Sequence, residues 1–516
     1  MIEILAREKV EVYGVKCIRT ESLDALSGLQ SALSQLSAST TVVGIVSKPI
    51  FISAEATLAE LVEEHFANNA QTMMLALSYA EDRGEGEVFF PLISPCEGSV
   101  RDDFDLGHVV FYRRHMLQEV VETISAEQCN WQYSALYDVY LRALERDAEC
   151  AIVVKSDKPY YKARAIDLRT SGEKQFDYVD PRNRAVQIER ETVCTAYLKR
   201  IGAFVDAERL QLVDITEGTY PCEMSVVIPV YNRVRTVGEA VKSALSQEAD
   251  FTYNVIVVDN HSIDGTTQLL ASMAAEDSRL VHLVPQETNL LIGGCWNYAI
   301  NHAKCGRFAV QLDSDDLYET SDVLVKIHDL FMKECCAMVV GSYTIVNEHL
   351  QTIPPGLIDH REWTAENGMN NALRINGLGA PRAFFTGLLR QYPLPNVSYG
   401  EDYAAGLTLS GQYKIGRIYD SLYLCRRWSG NSDAALTPER ADFTCRVISS
   451  MVTSISRCSR LSPTQMMGCR PASRAAWTFL LTVKSVSPKY WRRSLWPMMT
   501  YLTPRSFSMS ADHSPV

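Results

Sequence analysis

Acidic residues follow two apolar stretches of the chain that are typical of buried strands. Residues 255–258 end at Asp259, and residues 308–312 are followed by the acidic run 313–316. A third apolar stretch, residues 225–230, has the same character. Since the carboxyl ends of parallel strands meet at one edge of an open α/β sheet, ligands bind at that edge. Carboxylates there suit a ribose, a nucleotide base and a divalent cation.

Segments with apolar residues at helical spacing separate and follow these stretches. Residues 237–247, 294–303 and 321–332 each predict a helix, and so do residues 265–275, for which Asp264 is a suitable N-cap. Strands that alternate with helices predict an α/β fold with a mostly parallel sheet and helices on both of its faces.

Length and composition limit the classes of protein to be considered. A chain of 516 residues predicts two or three domains. Its net charge of -12 argues against a general nucleic-acid binder, and its 14 scattered cysteines indicate free thiols in a reducing cytoplasm. The N-terminus lacks the pattern of a signal peptide, and no segment reaches the roughly 18 apolar residues of a spanning helix. We therefore expect a cytoplasmic protein, and a peripheral contact with the inner face of the membrane stays open.

The chain divides into four predicted parts. In order, these are an N-terminal α/β domain, a linker, a second α/β domain with the acidic strand ends, and an irregular or disordered tail. Their predicted bounds are residues 1–204, 205–222, 223–440 and 441–516.

Two faint similarities connect the halves of the chain. Residues 101–107 are similar to residues 400–406, and residues 160–169 are similar to residues 423–431. Both similarities suggest an internal duplication. Where the later half has its acidic run, the early half offers at best residues 78–81, with a single glutamate. We interpret the early half as an altered copy without a working site.

Four motifs occur together in one order, and none of them is specific alone. They are residues 227–232 (VIPVYN), residues 257–266 (VVDNHSIDGT), residues 313–316 (DSDD) and the pair Glu401 and Asp402. With these motifs the chain resembles the family 2 glycosyltransferases, inverting enzymes of the GT-A fold, over roughly residues 224–433. It is similar in particular to bacterial members with a long N-terminal extension, which leaves open that residues 1–204 are a degenerate GT-A copy.

The resemblance implies a site for a nucleotide-diphosphate sugar, with a UDP-type donor favoured, and for a divalent cation, Mn²⁺ or Mg²⁺. Asp315 would contact the ribose and the metal, with support from Asp313 and Asp316, and Asp259 would accept a hydrogen bond from the base. The cation would neutralise charge on the leaving diphosphate. The other predicted donor-site residues are Pro229, Tyr231 and Asn289. A helix cap at residues 313–316 and a plain turn acid at Asp259 are the structural alternatives.

An inverting transfer also needs one base, which takes the proton of the acceptor hydroxyl. Asp402 matches the base position of the family, and Glu401 would orient it or contact the acceptor. A carboxylate in a partly desolvated pocket can have its pKa raised to useful values. Two acids that cap the N-terminus of a helix are the structural alternative for this pair.

A third candidate group lies near the end of the second domain. Processive members of the family carry a Gln-x-x-Arg-Trp motif, and residues 424–428 match it only at Arg427 and Trp428. By resemblance, Arg426 or Arg427 would pair with the diphosphate, and Trp428 would stack on an acceptor sugar. The histidine that many non-processive members have nearby is absent from this part of the sequence. A surface arginine pair beside a core tryptophan is the structural alternative.

We predict an inverting, metal-dependent glycosyltransferase that acts on a glycan or lipid-linked acceptor, in surface glycan or polysaccharide assembly. The main alternative is a non-catalytic nucleotide-sugar-binding or scaffold protein of a glycan-assembly complex. A sugar nucleotidyltransferase is disfavoured, because a glycine-rich basic loop would follow its first strand and this chain has Tyr231, Asn232 and Arg233 there.

Overall fold

The computed structural model describes residues 1–428 apart from short gaps. The gaps are residues 8–9, 13, 21, 47–49, 55–56, 83–85, 93, 96–97, 147–150, 155–157, 166–182 and 376–377. The predicted tail, residues 441–516, lies outside the described residues.

The N-terminal region, residues 1–165, builds two sheets and four helices. Its strands are β1 (Ile2–Ala6), β2 (Val10–Val12), β3 (Lys16–Arg19), β4 (Val42–Val46), β5 (Ile50–Ala54), β6 (Met74–Leu77), β7 (Tyr79–Asp82), β8 (Glu87–Phe90), β9 (Val110–Arg113), β10 (Ala151–Val154) and β11 (Tyr161–Ala165). Its helices are α1 (Leu26–Ser34), α2 (Thr57–Asn68), α3 (Arg114–Ala126) and α4 (Ala135–Arg146). A six-stranded sheet has the order β10-β6-β9-β4-β1-β3, and a five-stranded sheet has the order β2-β5-β11-β7-β8.

The helix α5 (Arg184–Arg200) and a short 3₁₀ turn, Ala207–Arg209, lead into the second region. The strands there are β12 (Met224–Val230), β13 (Tyr253–Asp259), β14 (Leu280–Leu283), β15 (Phe308–Gln311), β16 (Leu317–Tyr318), β17 (Met338–Val346), β18 (Thr352–Ile358), β19 (Arg382–Phe385) and β20 (Ile415–Arg426). The helices are α6 (Val237–Leu245), α7 (Thr266–Glu276), α8 (Ile292–Asn301), α9 (Val323–Glu334), α10 (Gly368–Asn371), α11 (Thr386–Gln391) and α12 (Glu401–Ser410).

A nine-stranded sheet forms the centre of the second region, in the order β14-β13-β12-β15-β19-β17-β20-β16, with β18 paired to β17. Its first four strands are parallel, and their Val- and Ile-rich residues are almost all buried because helices cover both faces. Beyond β15 the sheet is mixed, since β19 runs antiparallel to both of its neighbours. The predicted fold class, an α/β domain with a parallel-rich sheet behind a second α/β domain, is confirmed.

One topology occurs twice in the chain. The order β3-β1-β4-β9-β6-β10 has the same succession of parallel and antiparallel pairs as the order β13-β12-β15-β19-β17-β20. The five-stranded sheet continues the match, because β5-β11-β7-β8 pair as β16-β20-β17-β18 do. The strands also follow one another along the chain in the same order, which supports the internal duplication.

The topology corrects two of the predicted correspondences. Residues 101–107 precede β9 and so match the segment before β19, whereas residues 400–406 open α12, whose counterpart is α4. Residues 78–81 belong to the counterpart of β17, and the counterpart of the acidic run instead follows β4. There the sequence has Ser47, Lys48 and Pro49, without a carboxylate. Short sequence similarity misled because it ignored strand order.

The two regions share one hydrophobic core. Its buried residues extend from the N-terminal sheet through α3, α4 and α5 into the nine-stranded sheet. A second, smaller cluster lies within the N-terminal region, beneath α2. Among the described residues, every helix is too short or too polar to cross a membrane.

Candidate active site

The parallel strands β12, β13 and β15 end at one edge of the sheet, where the predicted donor residues lie. Pro229 pairs with Val258 of β13, and the ladder to β15 has already ended at Val227, so the missing N–H of this proline costs no hydrogen bond. Tyr231, just beyond β12, is 54% exposed. The side chain of Asn232 accepts a hydrogen bond of 2.8 Å from the N–H of Ile263. This bond ties the β12 loop to the β13 loop.

Asp259, at the end of β13, is fully buried and bonded within the protein. Its carboxylate accepts hydrogen bonds from the N–H of Ser262 (3.0 Å) and the hydroxyl of Thr267 (2.5 Å), and it lies 3.4 Å from Nε2 of His282. Burial alone would raise the pKa of Asp259, but these partners lower it below the ordinary value. The geometry describes an anchor for the β13 loop, and the predicted contact with a nucleotide base stays a prediction.

Asn260, which the sequence reasoning did not select, follows Asp259 at the same strand end. Its side-chain N–H group donates to the carbonyl of Leu290 at 2.8 Å. Its Oδ1 is buried and has no hydrogen-bond partner among the described residues. Asn260 is therefore a second polar group at the donor edge, whereas the family resemblance pointed to its neighbour Asp259.

The loop before α8 carries the predicted residue Asn289, and the first turn of α8, which follows it, needs two glycines. The carbonyl of Asn289 accepts a hydrogen bond of 3.2 Å from the side chain of Asn396, whose Oδ1 accepts one from Leu291. A Cβ at Gly293 would lie 1.9 Å from the carbonyl oxygen of Pro395, and one at Gly294 would lie 2.3 Å from Oδ1 of Asn396. The loop can close on residues 395–397 only because both positions lack a side chain.

The acidic run begins directly after β15 and is held by β20. The N–H of Asp313 donates to the hydroxyl of Tyr423 at 3.0 Å, and Gln311 donates to the Asp313 carboxylate at 3.1 Å. Asp316 is buried, and its carboxylate accepts the N–H of Arg426 at 2.7 Å. Burial, together with the charges of Asp313 and Asp315, raises the pKa of Asp316 well above its ordinary value. Asp316 is therefore an inward-facing support of the run.

Asp315 points toward the β12 loop and the predicted residue Trp428. The indole N–H of Trp428 donates to Asp315 Oδ2 at 3.1 Å, and Arg233 Nε lies 3.8 Å from the same oxygen. Arg233 and Arg235 both lie over the indole ring, at 5.8 and 5.4 Å from its centroid. Trp428 thus lies beside the acidic run and two arginines. Its predicted stacking on an acceptor sugar stays a prediction.

The two arginines before Trp428 face different surroundings. The guanidinium of Arg426 is buried and pairs with Glu239 of α6 at 2.8 Å. Arg427 continues the sheet through its backbone, whose N–H donates to the carbonyl of Val346 at 2.7 Å. Arg426 is therefore engaged on the α6 side of the sheet, and both predicted contacts with a diphosphate stay predictions.

Asp402 stands in the first turn of α12 and pairs with Arg382 of β19. Nη2 of Arg382 lies 2.5 Å from Asp402 Oδ2. Nη1 of Arg382 donates to the carbonyls of Leu378 (2.8 Å) and Gly379 (3.0 Å), so the guanidinium is fixed by its own loop. The side chain of Asp402 is 29% exposed. Arg382 was not predicted, because only the pairing of β19 with β15 brings it to α12.

Glu401 precedes Asp402 in α12 and lies against the first turn of α8. Its Cβ lies near Gly293, its side chain is buried, and its Oε2 has no hydrogen-bond partner among the described residues. Burial and the charge of Asp402 raise the pKa of Glu401 well above its ordinary value. A neutral carboxyl group at this position can donate a hydrogen bond to a ligand that enters beside the loop.

The carboxylates at this edge form one electrostatic unit. Burial, and then the charges of Asp315 and Asp402, raise the pKa of Asp313, while Gln311 and Arg382 oppose the shift. Crowded carboxylates of this kind fit a divalent cation, which prefers oxygen ligands. Among the described residues, no group of three or more His, Cys, Asp or Glu side chains is arranged to hold a metal alone. A cation held by Asp313 and Asp315 would need further oxygen ligands, such as those of a donor phosphate.

Comparison with known proteins identifies a family match for part of the second region. Residues 225–392 match the family model described as Glycosyl transferase family 2. An uncharacterized glycosyltransferase of Rickettsia conorii is 26% identical over 247 residues, which are 47% of this chain and 39% of the relative. This chain therefore spans well under two thirds of the length of that relative.

A second relative is the putative teichuronic acid biosynthesis glycosyltransferase TuaG of Bacillus subtilis. It is 27% identical over 190 residues, which are 36% of this chain and 71% of TuaG. Among solved structures, that of Staphylococcus aureus TarS in complex with UDP-GlcNAc is 19% identical and covers 52% of this chain and 77% of TarS 1–349, with a TM-score of 0.36.

Proposed function

Since the chain carries a family 2 glycosyltransferase domain, we propose that it moves a sugar from a nucleotide-diphosphate donor to an acceptor hydroxyl with inversion at the anomeric carbon. We assign this reaction to the predicted domain of residues 223–440. A UDP-type donor is favoured, as the sequence motifs imply, and the acceptor would belong to surface glycan or polysaccharide assembly. The name of TuaG, a putative teichuronic acid biosynthesis enzyme, supports that setting.

One observation carries the proposal. The acidic run after β15 and the carboxylate of Asp402 in α12 are joined by two side chains. Gln311 donates to Asp313 and accepts the backbone N–H of Arg382, whose guanidinium pairs with Asp402. A donor held at the acidic run would therefore present its anomeric carbon near Asp402. A helix cap or a turn acid, the structural alternatives for these residues, requires no such proximity.

The residues divide into a donor side and an acceptor side. Asp313 and Asp315 would hold a divalent cation together with the diphosphate. Arg233, whose Nε lies 3.8 Å from Asp315 Oδ2, would add positive charge near the phosphates. When bound, the cation would neutralise the charge that develops on the leaving diphosphate. Trp428, with Arg233 and Arg235 over its ring, would form the wall of the site beside the phosphates.

On the acceptor side, Asp402 would take the proton from the attacking hydroxyl. As the new bond forms between that oxygen and the anomeric carbon, the bond from the anomeric carbon to the diphosphate oxygen breaks, and the proton ends on the Asp402 carboxylate. Arg382 would hold this carboxylate in one orientation. Glu401 lies beside Gly293 of α8 and would orient Asp402 or contact the acceptor.

The proposal is tested by calorimetric binding of UDP-, GDP- and TDP-sugars to the full-length protein, with and without Mn²⁺, followed by a transfer assay that measures nucleoside diphosphate release. We expect one donor to bind tightly only with the cation, and to turn over when an acceptor is added. Binding without turnover for a broad acceptor panel would favour the scaffold alternative. Absence of binding for every donor would overturn the proposal.

A further inference from the structure

A buried ion pair connects the two regions of the chain. Asp102, in the segment before β9, pairs with Arg374, in the segment before β19. The side chain of Arg374 is fully buried, and its Nε also donates to Asn371 at 2.9 Å. Arg190 of α5 approaches the same Asp102 oxygen at 3.4 Å. Because a buried guanidinium needs a compensating charge, Asp102 fixes the position of residue 374.

Three asparagines hold the same segment of the second region against α5 and the chain that follows it. Asn367 donates to Glu191 (2.6 Å) and to Thr195 (3.0 Å), and Asn371 also donates to Glu191 at 3.3 Å. Asn370 exchanges two hydrogen bonds of 2.9 Å with the backbone of Val205. All of these groups belong to the helical segment 367–374 or to the region before the transferase domain.

The anchored segment in turn holds the helix that carries Asp402. The hydroxyl of Tyr403 donates to the carbonyl of Ala372, and it lies 3.2 Å from the carbonyl of Ile375. A Cβ at Gly406 would lie 2.1 Å from Leu378, so α12 packs closely on the chain that leaves this segment. Since Tyr403 follows Asp402 directly, a displacement of residues 372–375 would displace the proposed base.

The N-terminal region has the same contact between a helix and the segment before a strand, but it lacks the two acids of α12. Tyr137 is the third residue of α4, as Tyr403 is of α12, and its hydroxyl donates to the carbonyl of Val100 in the matching segment. Ala135 and Leu136 stand where α12 has its two acids. We infer that the N-terminal region is a duplicated transferase-type domain whose present role is to position α12, with Asp102 as the principal positioning residue. This inference rests on the proposed function only for its effect on catalysis.

The coupling is tested without any activity by hydrogen–deuterium exchange of the full-length protein and its Asp102→Asn variant. The matched control is Asp103→Asn, since Asp103 is the next residue, is 60% exposed and pairs with the nearby Arg101. We expect faster exchange in residues 368–375 and 401–410 of the Asp102 variant, with α7 unchanged and no effect of the control. Wild-type exchange at residues 401–410 in a folded Asp102→Asn variant overturns the inference.

The catalytic consequence is tested with the donor and acceptor of the wild-type protein. Asp102→Asn should lower kcat roughly tenfold or more, since a small misplacement of a reacting group is costly, and should leave the donor Kd unchanged. A raised donor Kd with unchanged kcat would contradict the positioning role. If Asp102→Asn does not fold, Glu191→Gln replaces it in the same measurements. This milder change weakens the hydrogen bonds that Glu191 accepts from Asn367 and Asn371. The same results are expected, and the same results would contradict the inference. If the wild-type protein transfers no sugar, the proposed function fails, and the exchange experiment still decides the coupling.

Discussion

Arg382 and Asp402 form a pair in which both partners are held by the backbone around them. Nη2 of Arg382 lies 2.5 Å from Asp402 Oδ2, and the Arg382 N–H donates to Gln311 Oε1 at 3.2 Å. The side chain of Gln311 also donates to Asp313. A single relay of hydrogen bonds therefore connects the acidic run at the end of β15 with the first turn of α12. Fixed groups of this kind need little reorganisation when charge moves in a reaction.

The first prediction concerns the proposed base. Asp402→Asn keeps the shape of the side chain and removes its ability to accept a proton. We expect the transfer rate to fall by about 10²–10⁴-fold, the usual contribution of general base catalysis, while donor affinity stays near the wild-type value. Steady-state kinetics and calorimetry measure the two quantities. The matched control is Asp420→Asn, an exposed aspartate of β20 that should have no effect; an unchanged rate for Asp402→Asn would remove it as the base.

The second prediction concerns the proposed cation site. Asp315→Ala should weaken Mn²⁺-dependent donor binding roughly tenfold or more, since a lost interaction with a charged group costs about 1.5–3 kcal/mol. Calorimetry with and without Mn²⁺ separates this loss from a general loss of affinity. Asp329→Ala, at a 74% exposed side chain of α9, is the control. Equal donor affinity of both variants in Mn²⁺ would mean that the cation is held elsewhere.

The strand-and-helix frame of the second region was predictable because its signals are local. Buried parallel strands such as β12 and β13 are continuous Val and Ile runs, and the helices between them show a 3.6-residue period. The position of the acids at the strand ends then follows from the sheet. In the N-terminal region, the pattern of residues 40–47 likewise predicts a strand and that of residues 56–66 a helix, and the structure has β4 and α2 there.

Features that depend on distant pairing were not predictable. Arg382 reaches Asp402 only because β19 runs antiparallel beside β15, and no local pattern encodes that placement. The burial of Asp259 depends on Thr267 and His282, which lie on other elements. The duplication was detected in sequence, but its alignment needed the strand order. Local periodicity thus defines elements, while charge partners depend on tertiary contacts.

The third prediction tests the close approach of the first turn of α8 to residues 395–397. In Gly293→Ala the new methyl group would meet the carbonyl oxygen of Pro395 at 1.9 Å. We expect this variant to lose about 1–3 kcal/mol of stability, as overpacked sites do, and to bind the donor more weakly because the loop must move. Thermal unfolding and donor calorimetry measure both effects.

The control for this prediction is Gly238→Ala in α6. A Cβ there meets only Leu269, at an ordinary contact distance of 3.5 Å. Alanine has a higher helix propensity than glycine by about 1 kcal/mol, so this variant should be as stable as the wild type or more stable. Equal stability of the two variants would show that the loop tolerates a side chain at residue 293.

The fourth prediction is a pH dependence of stability at Glu3 of β1. Its buried carboxylate accepts hydrogen bonds from Lys16 (2.7 Å), the N–H of Ser37 (2.8 Å) and Thr40 (2.5 Å). Burial alone would raise the pKa of Glu3, but these bonds lower it to about 2. A pKa lowered in the folded state means that the contribution to stability is full above the ordinary glutamate value and is lost as the pH falls toward 2.

Urea unfolding of the wild-type protein and of Glu3→Gln checks this dependence. At pH 7 the variant should be less stable by on the order of 2 kcal/mol, a figure reduced from the full pKa shift because Lys16 is exposed. At pH 3 the difference should be clearly smaller, because this glutamate binds a proton in the unfolded wild-type protein at that pH, while in the folded protein it stays largely ionised. A difference that stays constant between the two pH values would assign the effect to packing and not to charge.

The last prediction distinguishes two roles for Trp428. Its indole N–H donates to Asp315 at 3.1 Å, and its ring packs against Arg233 and Arg235. Trp428→Phe keeps an aromatic face for the arginines and removes the N–H, so donor affinity should fall by up to about fivefold, the value of one hydrogen bond of roughly 1 kcal/mol. Trp428→Ala should weaken donor binding further, and the acceptor KM should stay constant in both. If these variants instead raise the acceptor KM and leave the donor Kd unchanged, Trp428 is the acceptor platform that the sequence resemblance implies, and the two arginines merely support its ring.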